Sequence, residues 1–328
     1  MTGSRTREQR GEQTRRQRGE QSMVPPAEFS SYYGQPVINE PAWGVPDVPG
    51  YLFLGGLAGA SSALAASAQL TGRRELARTA KTVAAGAISV SAAALVHDLG
   101  RPARFYNMLR VFKPTSPMSI GSWLLTGYGP AAGVAAASAV TGWLPGIGRA
   151  ATAAAAVLGP GVAAYTAALL ADTAVPAWHE AHRELPYLFV SSAATAAGGL
   201  GLVLVRPEQA GPARNLAVIG ASAELVVKSR MIRRLGPAGE PYQSGRAGHL
   251  MQAAEILTIG GLSVAALGGR KRVAAALAGA ALVASSALTR FGVFQAGRAS
   301  ARDPKYTVVP QRDRIRRRDR SQSPAAPV

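Results

Sequence analysis

Between residues 50 and 290 this chain gathers its charged residues into the gaps between about eight apolar stretches and leaves the stretches almost free of them. They lie near 50–70, 80–97, 118–142, 150–175, 186–205, 213–230, 250–268 and 273–290. At about 1.5 Å rise per residue, a helix of roughly 18–25 residues crosses a hydrocarbon core of about 30 Å. Inside lipid the backbone must satisfy its own hydrogen bonds, so such stretches are read as helices. The pattern predicts an all-α integral membrane protein with about eight transmembrane helices. A soluble bundle is disfavoured, because Lys and Arg cluster between the stretches instead of recurring along one helix face. Ala and Gly dominate runs such as GGLAGASSALAASA (55–68) and ATAAAAVLGPG (151–161), which lets helices approach closely where lipid supplies no hydrophobic drive.

The formal net charge is +18. That excess lies in loops and ends, so it argues for anionic lipid headgroups and against a nucleic-acid partner; the densest cluster is RDRIRRRDR at 312–320. With no cysteine, the chain offers no thiolate to an iron–sulfur cluster and forms no disulfide. Residues 1–30 read as a disordered polar tail. Arg15 and Arg16 resemble a twin-arginine signal, yet no apolar core follows until about residue 50, so no cleavable signal is expected. Residues 31–49 read as a Pro-interrupted approach segment on the membrane surface, anchored by Tyr32, Tyr33 and Trp43. The membrane domain is assigned to 50–290 and a basic, disordered tail to 291–328. Near the membrane, about 14 basic residues fall on the side shared by both termini and about 10 on the other, which favours cytoplasmic termini in a bacterial-type cell membrane.

Ionisable residues within spans are costly and need a reason. Asp98 follows His97 at the end of the second span, Asp172 closes the fourth, and Glu255 lies in the seventh with no oppositely charged residue four positions away. Glu224 and Lys228 share a face of the sixth, as a neutralised structural pair or as proton-handling groups. Glu224, Lys228, Glu255 and Asp172 are therefore the proton-handling candidates. His97, His179, His182 and His249 all fall on the termini side, whereas a dihaem anchor needs facing imidazoles near both membrane faces; no haem is expected. Tyr165, well inside the fourth span, and Tyr51, at the start of the first, are hydroxyls able to donate to a quinone carbonyl from an apolar slot; a membrane-interface anchor is the alternative for Tyr51.

The segment between the second and third spans, HDLGRPARFYNML (97–109) with SPMSIGSWLL (116–125), resembles the membrane subunits of the NrfD/PsrC family of polysulfide and nitrite reductase complexes. PGYLFLGGLAGAS (49–61) and YTAALLADTAVPAWHEAHRELPYLFVSSA (165–193) extend the resemblance over the first five spans. It implies two four-helix bundles and a quinone site for menaquinone or ubiquinone. It also implies that the subunit itself carries no haem and no iron–sulfur cluster. Electrons would pass through a docked ferredoxin-like iron–sulfur subunit to or from a molybdopterin catalytic subunit. Tyr165 matches the family's quinone-pocket tyrosine; some members have a His where this chain has Tyr51, a neutral donor that cannot take a proton as His can. Asp98, Arg101 and Arg104, with Arg110, then form a docking element, and Pro102 turns the chain along the surface; an Asp98–Arg101 pair that only caps the second span is the alternative. A transporter or ion-translocating protein using Glu224, Lys228 and Glu255 is the competing function.

Overall fold

Helix follows helix with short breaks, each break carrying the local chemistry that ends or starts one. In the computed structural model, residues 37–322 are described, apart from 42, 100, 102, 103 and 268–270. The helices are α1 (Asp47–Leu70), α2 (Arg74–Asp98), α3 (Arg104–Leu109), α4 (Pro117–Thr141), α5 (Pro145–Ala171), α6 (Pro176–Glu180), α7 (Leu185–Leu204), α8 (Gly211–Leu235), α9 (Gly245–Leu267), α10 (Arg272–Arg302) and α11 (Lys305–Gln322). Pro117 and Pro145 begin α4 and α5, where the missing N–H is no loss. Gly142, in the left-handed region at φ 76°, ends α4 by donating its N–H to the Ser138 carbonyl at 2.9 Å.

Among the described residues eight helices reach twenty residues or more. Six of these, α1, α2, α5, α7, α9 and α10, are long and apolar enough to cross a membrane. The other two long helices are α4 and α8; α8 carries Arg214, Glu224, Lys228, Arg230, Arg233 and Arg234.

Small residues set the packing. Helix α1 packs on α2 and α5, α4 on α5, and α2 on α4. Further along the chain α7 packs on α8 and α10, α9 on α10, and α8 on α9, while α1 and α5 meet α7. Where α1 crosses α5 the contact is backbone on backbone: a Cβ added to Gly59 would fall on the Gly159 carbonyl, and one added to Gly159 on that of Gly59. Gly199 of α7 and Gly279 of α10 repeat this reciprocal contact.

Several expectations need correcting. The last long helix does not stop near residue 290 but continues to Arg302, because Gly292, Val293, Phe294, Ala296 and Gly297 keep one face buried for three further turns. Lys305–Gln322 is helical where a disordered tail was expected. Trp43, expected as an interfacial anchor, is half-buried and stacks its ring on Trp178 at 5.6 Å, and Trp178 in turn meets Phe294. Tyr32, Tyr33, the 1–30 tail and Pro102 lie outside the described residues.

Candidate functional site

Four long helices bring their ends together on the side where α1 begins. On α1, Asp47, Val48, Tyr51 and Leu52 have the i, i+1, i+4, i+5 spacing of one face. The last turn of α2 supplies Ala94, Leu95 and Asp98; α4 supplies Met118, Ser122 and Leu125 from its first turns; α5 supplies Tyr165, Leu169 and Leu170 from its last. Together with Trp43 and Met108 of α3 they enclose a cavity of about 100 Å³. Among the described residues its polar lining groups are two carboxyls, three hydroxyls and the Trp43 indole, and neither Lys nor Arg lines it.

The two tyrosines expected at a quinone site meet there. Tyr51 and Tyr165, 114 positions apart in sequence, place their hydroxyls 3.2 Å apart, and both residues are buried. A phenol has one O–H to give. One hydroxyl donates to the other, which leaves the second O–H of the pair uncommitted among the described residues. Gly121 makes room for this arrangement, since a Cβ there would strike the Tyr165 ring. Tyr165 also lines a second, apolar cavity of about 370 Å³ with Pro114, Ile120, Leu124, Gly161 and Ala168. The Tyr165 ring is therefore a wall common to both cavities. Tyr51 is no interface anchor, being 4% exposed.

At the mouth, Asp98 accepts the Gly44 N–H at 3.2 Å. No ion pair joins Asp98 to Arg101 among the described residues, so the cap reading gives way to a tie onto the approach segment. Arg104 donates to the Leu99 carbonyl at 3.0 Å, and both Arg101 and Arg104 are exposed. Asp47 holds His97 through Nδ1 at 2.9 Å. The approach segment over this mouth is itself tied down: Glu40 pairs with Arg298 and with Arg302 of α10, the latter at 2.9 Å. Those arginines, with the Arg302 hydrogen bond the largest cause, hold the Glu40 carboxyl below its ordinary value.

The proton-handling candidates do not join this cavity. Glu224 and Lys228 are not each other's partner: Lys228 reaches Glu255 of α9 at 2.8 Å and the Met251 carbonyl at 2.7 Å, while Glu224 accepts from Thr289 of α10 at 2.8 Å. Beside Glu224 lies Arg290, 1% exposed, stacked 3.8 Å over the Phe189 ring and donating to the Phe189 carbonyl at 2.6 Å. The sequence reading missed Arg290 by ending a span on it; Val293, Phe294 and Ala296, which continue the apolar face beyond it, were the available signal. Asp172 is exposed at the end of α5. His179 and His182 lie with ring centres 6.1 Å apart near α6, and His249 is exposed in the second turn of α9. Among the described residues no three His, Asp or Glu side chains converge as a metal site.

Residues 37–282 match the family model described as polysulphide reductase, NrfD. No curated protein matches the chain.

Proposed function

Because the chain belongs to the NrfD, polysulphide reductase family, we propose that it is the quinone-reactive membrane anchor of a multi-subunit oxidoreductase, passing electrons between an iron–sulfur subunit and the quinone pool. Family and apolar helices together make it an integral membrane subunit of polysulphide- and nitrite-reductase-type complexes. The reading takes all eight long helices as spans and the two groups of contacts as two four-helix bundles. The termini side, richer in Lys and Arg, is then cytoplasmic in a bacterial-type membrane.

The observation that carries the reading is the Tyr51–Tyr165 hydroxyl pair set in an apolar cavity between helix ends. A quinone ring needs an apolar slot and a directed donor, and the apolar lining with its two buried phenols supports that reading. When bound, the quinone supplies two-electron, two-proton carbonyl chemistry. The tyrosine pair orients one carbonyl through its uncommitted O–H, and the cavity behind Tyr165 gives an isoprenoid tail an apolar route to lipid. Menaquinone and ubiquinone both fit that description. Around the mouth, Asp98, Arg101 and Arg104 stand beside exposed Tyr106, Val111 and Phe112, a mixed polar and apolar face suited to a ferredoxin-like iron–sulfur subunit that connects to a molybdopterin enzyme.

Tyr165→Phe tests the proposal. It removes the hydroxyl and keeps the ring, so quinone-linked electron transfer is expected to fall at least about tenfold while partner subunits still co-purify. Full activity in that variant would refute the pocket. A second reading, ion translocation through α8, α9 and α10, draws on the buried Glu224, Lys228 and Arg290. It requires ion flux by the isolated subunit in liposomes, and no flux with any candidate ion removes it.

A further inference from the structure

Reducing a quinone at the tyrosine pair consumes two protons from solvent, and tyrosines that are 4% and 8% exposed have no direct access to it. The family resemblance leaves this gap open, because Tyr51 occupies the position where some members carry a His. The mouth of the cavity supplies a different pair. Asp47, in the first turn of α1, lines the cavity one turn above Tyr51. One of its oxygens, Oδ2, holds His97 Nδ1 at 2.9 Å across from the last turn of α2. The His97 side chain is 79% exposed and that of Asp47 32%. The order from outside inward is therefore solvent, imidazole, carboxyl, cavity.

We propose that His97 and Asp47 form the proton relay between solvent and the quinone cavity. The proposal rests on the quinone reading above. As two electrons arrive one at a time from the iron–sulfur partner, Asp47 would give a proton to the bound quinone. His97 then returns a proton to Asp47 and takes its own from water. The second proton would pass through the tyrosine pair, which Asp47, one turn away on α1, would resupply. Two O–H bonds form, two electrons are consumed, and two protons leave solvent. When quinol is oxidised the same groups carry the protons outward.

The remaining titratable groups on the cavity are Asp98 of α2, Tyr51 of α1 and Tyr165 of α5. Arg101, Arg104, Arg110 and Lys113 are the charged groups between α2 and α4. Asp98 is the weaker donor candidate, because Oδ1 already accepts the Gly44 N–H and no imidazole contacts it. A purely structural role for the Asp47–His97 contact, fastening α1 to α2, predicts different behaviour in the variants.

The test uses the intact complex in native membranes, with quinone turnover followed across pH. His97→Ala is expected to slow turnover about tenfold or more above neutral pH, where protons are scarce, and added imidazole is expected to restore it because the site is open to solvent. Asp47→Asn is expected to lower turnover by about 10- to 100-fold without imidazole rescue, and Asp47→Glu to recover most of it. Redox-induced infrared difference spectra provide a readout independent of turnover: a carboxyl band lost in Asp47→Asn and kept in Asp98→Asn supports the relay. Turnover in both variants equal to wild type at every pH, or a His97→Ala defect that imidazole leaves untouched, would overturn it. Failure of wild-type quinone turnover, or full activity in Tyr165→Phe, would instead strike the quinone reading itself.

Discussion

Replacing Gly59 by Ala adds one methyl at the crossing of α1 and α5, and the structure fixes what that methyl meets. It lands on the carbonyl oxygen, carbonyl carbon and Cα of Gly159 together, which are backbone atoms and have no rotamer to escape into. Relief requires the two helices to separate by roughly 1 Å, which forfeits a quarter to a half of the dispersion energy of the facing atoms. Such overpacking costs about 1–3 kcal/mol. Against it stands the gain from Gly to Ala inside a helix, about 0.8–1 kcal/mol. Gly86 of α2 isolates that gain, because a Cβ there meets nothing within 4 Å. Thermal unfolding in mild detergent should therefore order the proteins Gly86→Ala, wild type, Gly59→Ala from most to least stable, with the two variants separated by a few degrees. Should Gly59→Ala melt with Gly86→Ala, the backbones do not touch at this crossing and the packing argument fails. Gly279→Ala, which meets Gly199 across α7 and α10, should behave as Gly59→Ala does.

Two further outcomes follow from charged groups. The Glu40 carboxyl lies below its ordinary value of 4.5, so its tie to Arg302 and Arg298 is at full strength above that value and is lost as pH falls through the lowered one; acidification should then loosen the approach segment, read as a change in the fluorescence of the stacked Trp43–Trp178 pair with Trp123 and Trp143 replaced, and Glu40→Gln should abolish the transition. Arg290→Met strips the buried Glu224 of the cation beside it and should cost about 3–5 kcal/mol, most of it recovered in the Arg290→Met, Glu224→Gln double variant, whereas strictly additive losses would show that the two charges do not interact.

The helices were legible because their signal is local: an apolar run of about 20 residues reads as a span wherever it falls. Tyr165 was legible for a related reason, since a hydroxyl about ten residues inside an apolar run is out of place at a membrane interface. Partners across helices were not legible. Helical spacing joins Glu224 to Lys228, but each finds a better-placed group on another helix, Thr289 and Glu255, and no rule of spacing reaches 65 or 27 positions along the chain. Asp47 passed unnoticed because, read alone, an acid before a span is an ordinary helix start. Its meaning comes only from His97, fifty residues on. The end of α10 was missed because Arg290 interrupts hydropathy without interrupting the helix; the Phe189 ring and carbonyl accept its charge inside the protein.

The approach segment ties the two ends of the sequence into one object. Glu40 is held by arginines 258 and 262 positions later, and Trp43 rests on Trp178, which leans on Phe294. Gly44 can fasten to Asp98 and Trp43 to Trp178 as soon as those residues are made, but the Glu40 tie waits for residues 298 and 302. Until Arg298 and Arg302 emerge, the helices that wall the cavity can pack with Glu40 still lacking both arginines. Chain termination before residue 298 would leave the helix ends that wall the cavity without the Glu40 tie, so the last turns of α10 complete the outer fastening of the site and not its walls.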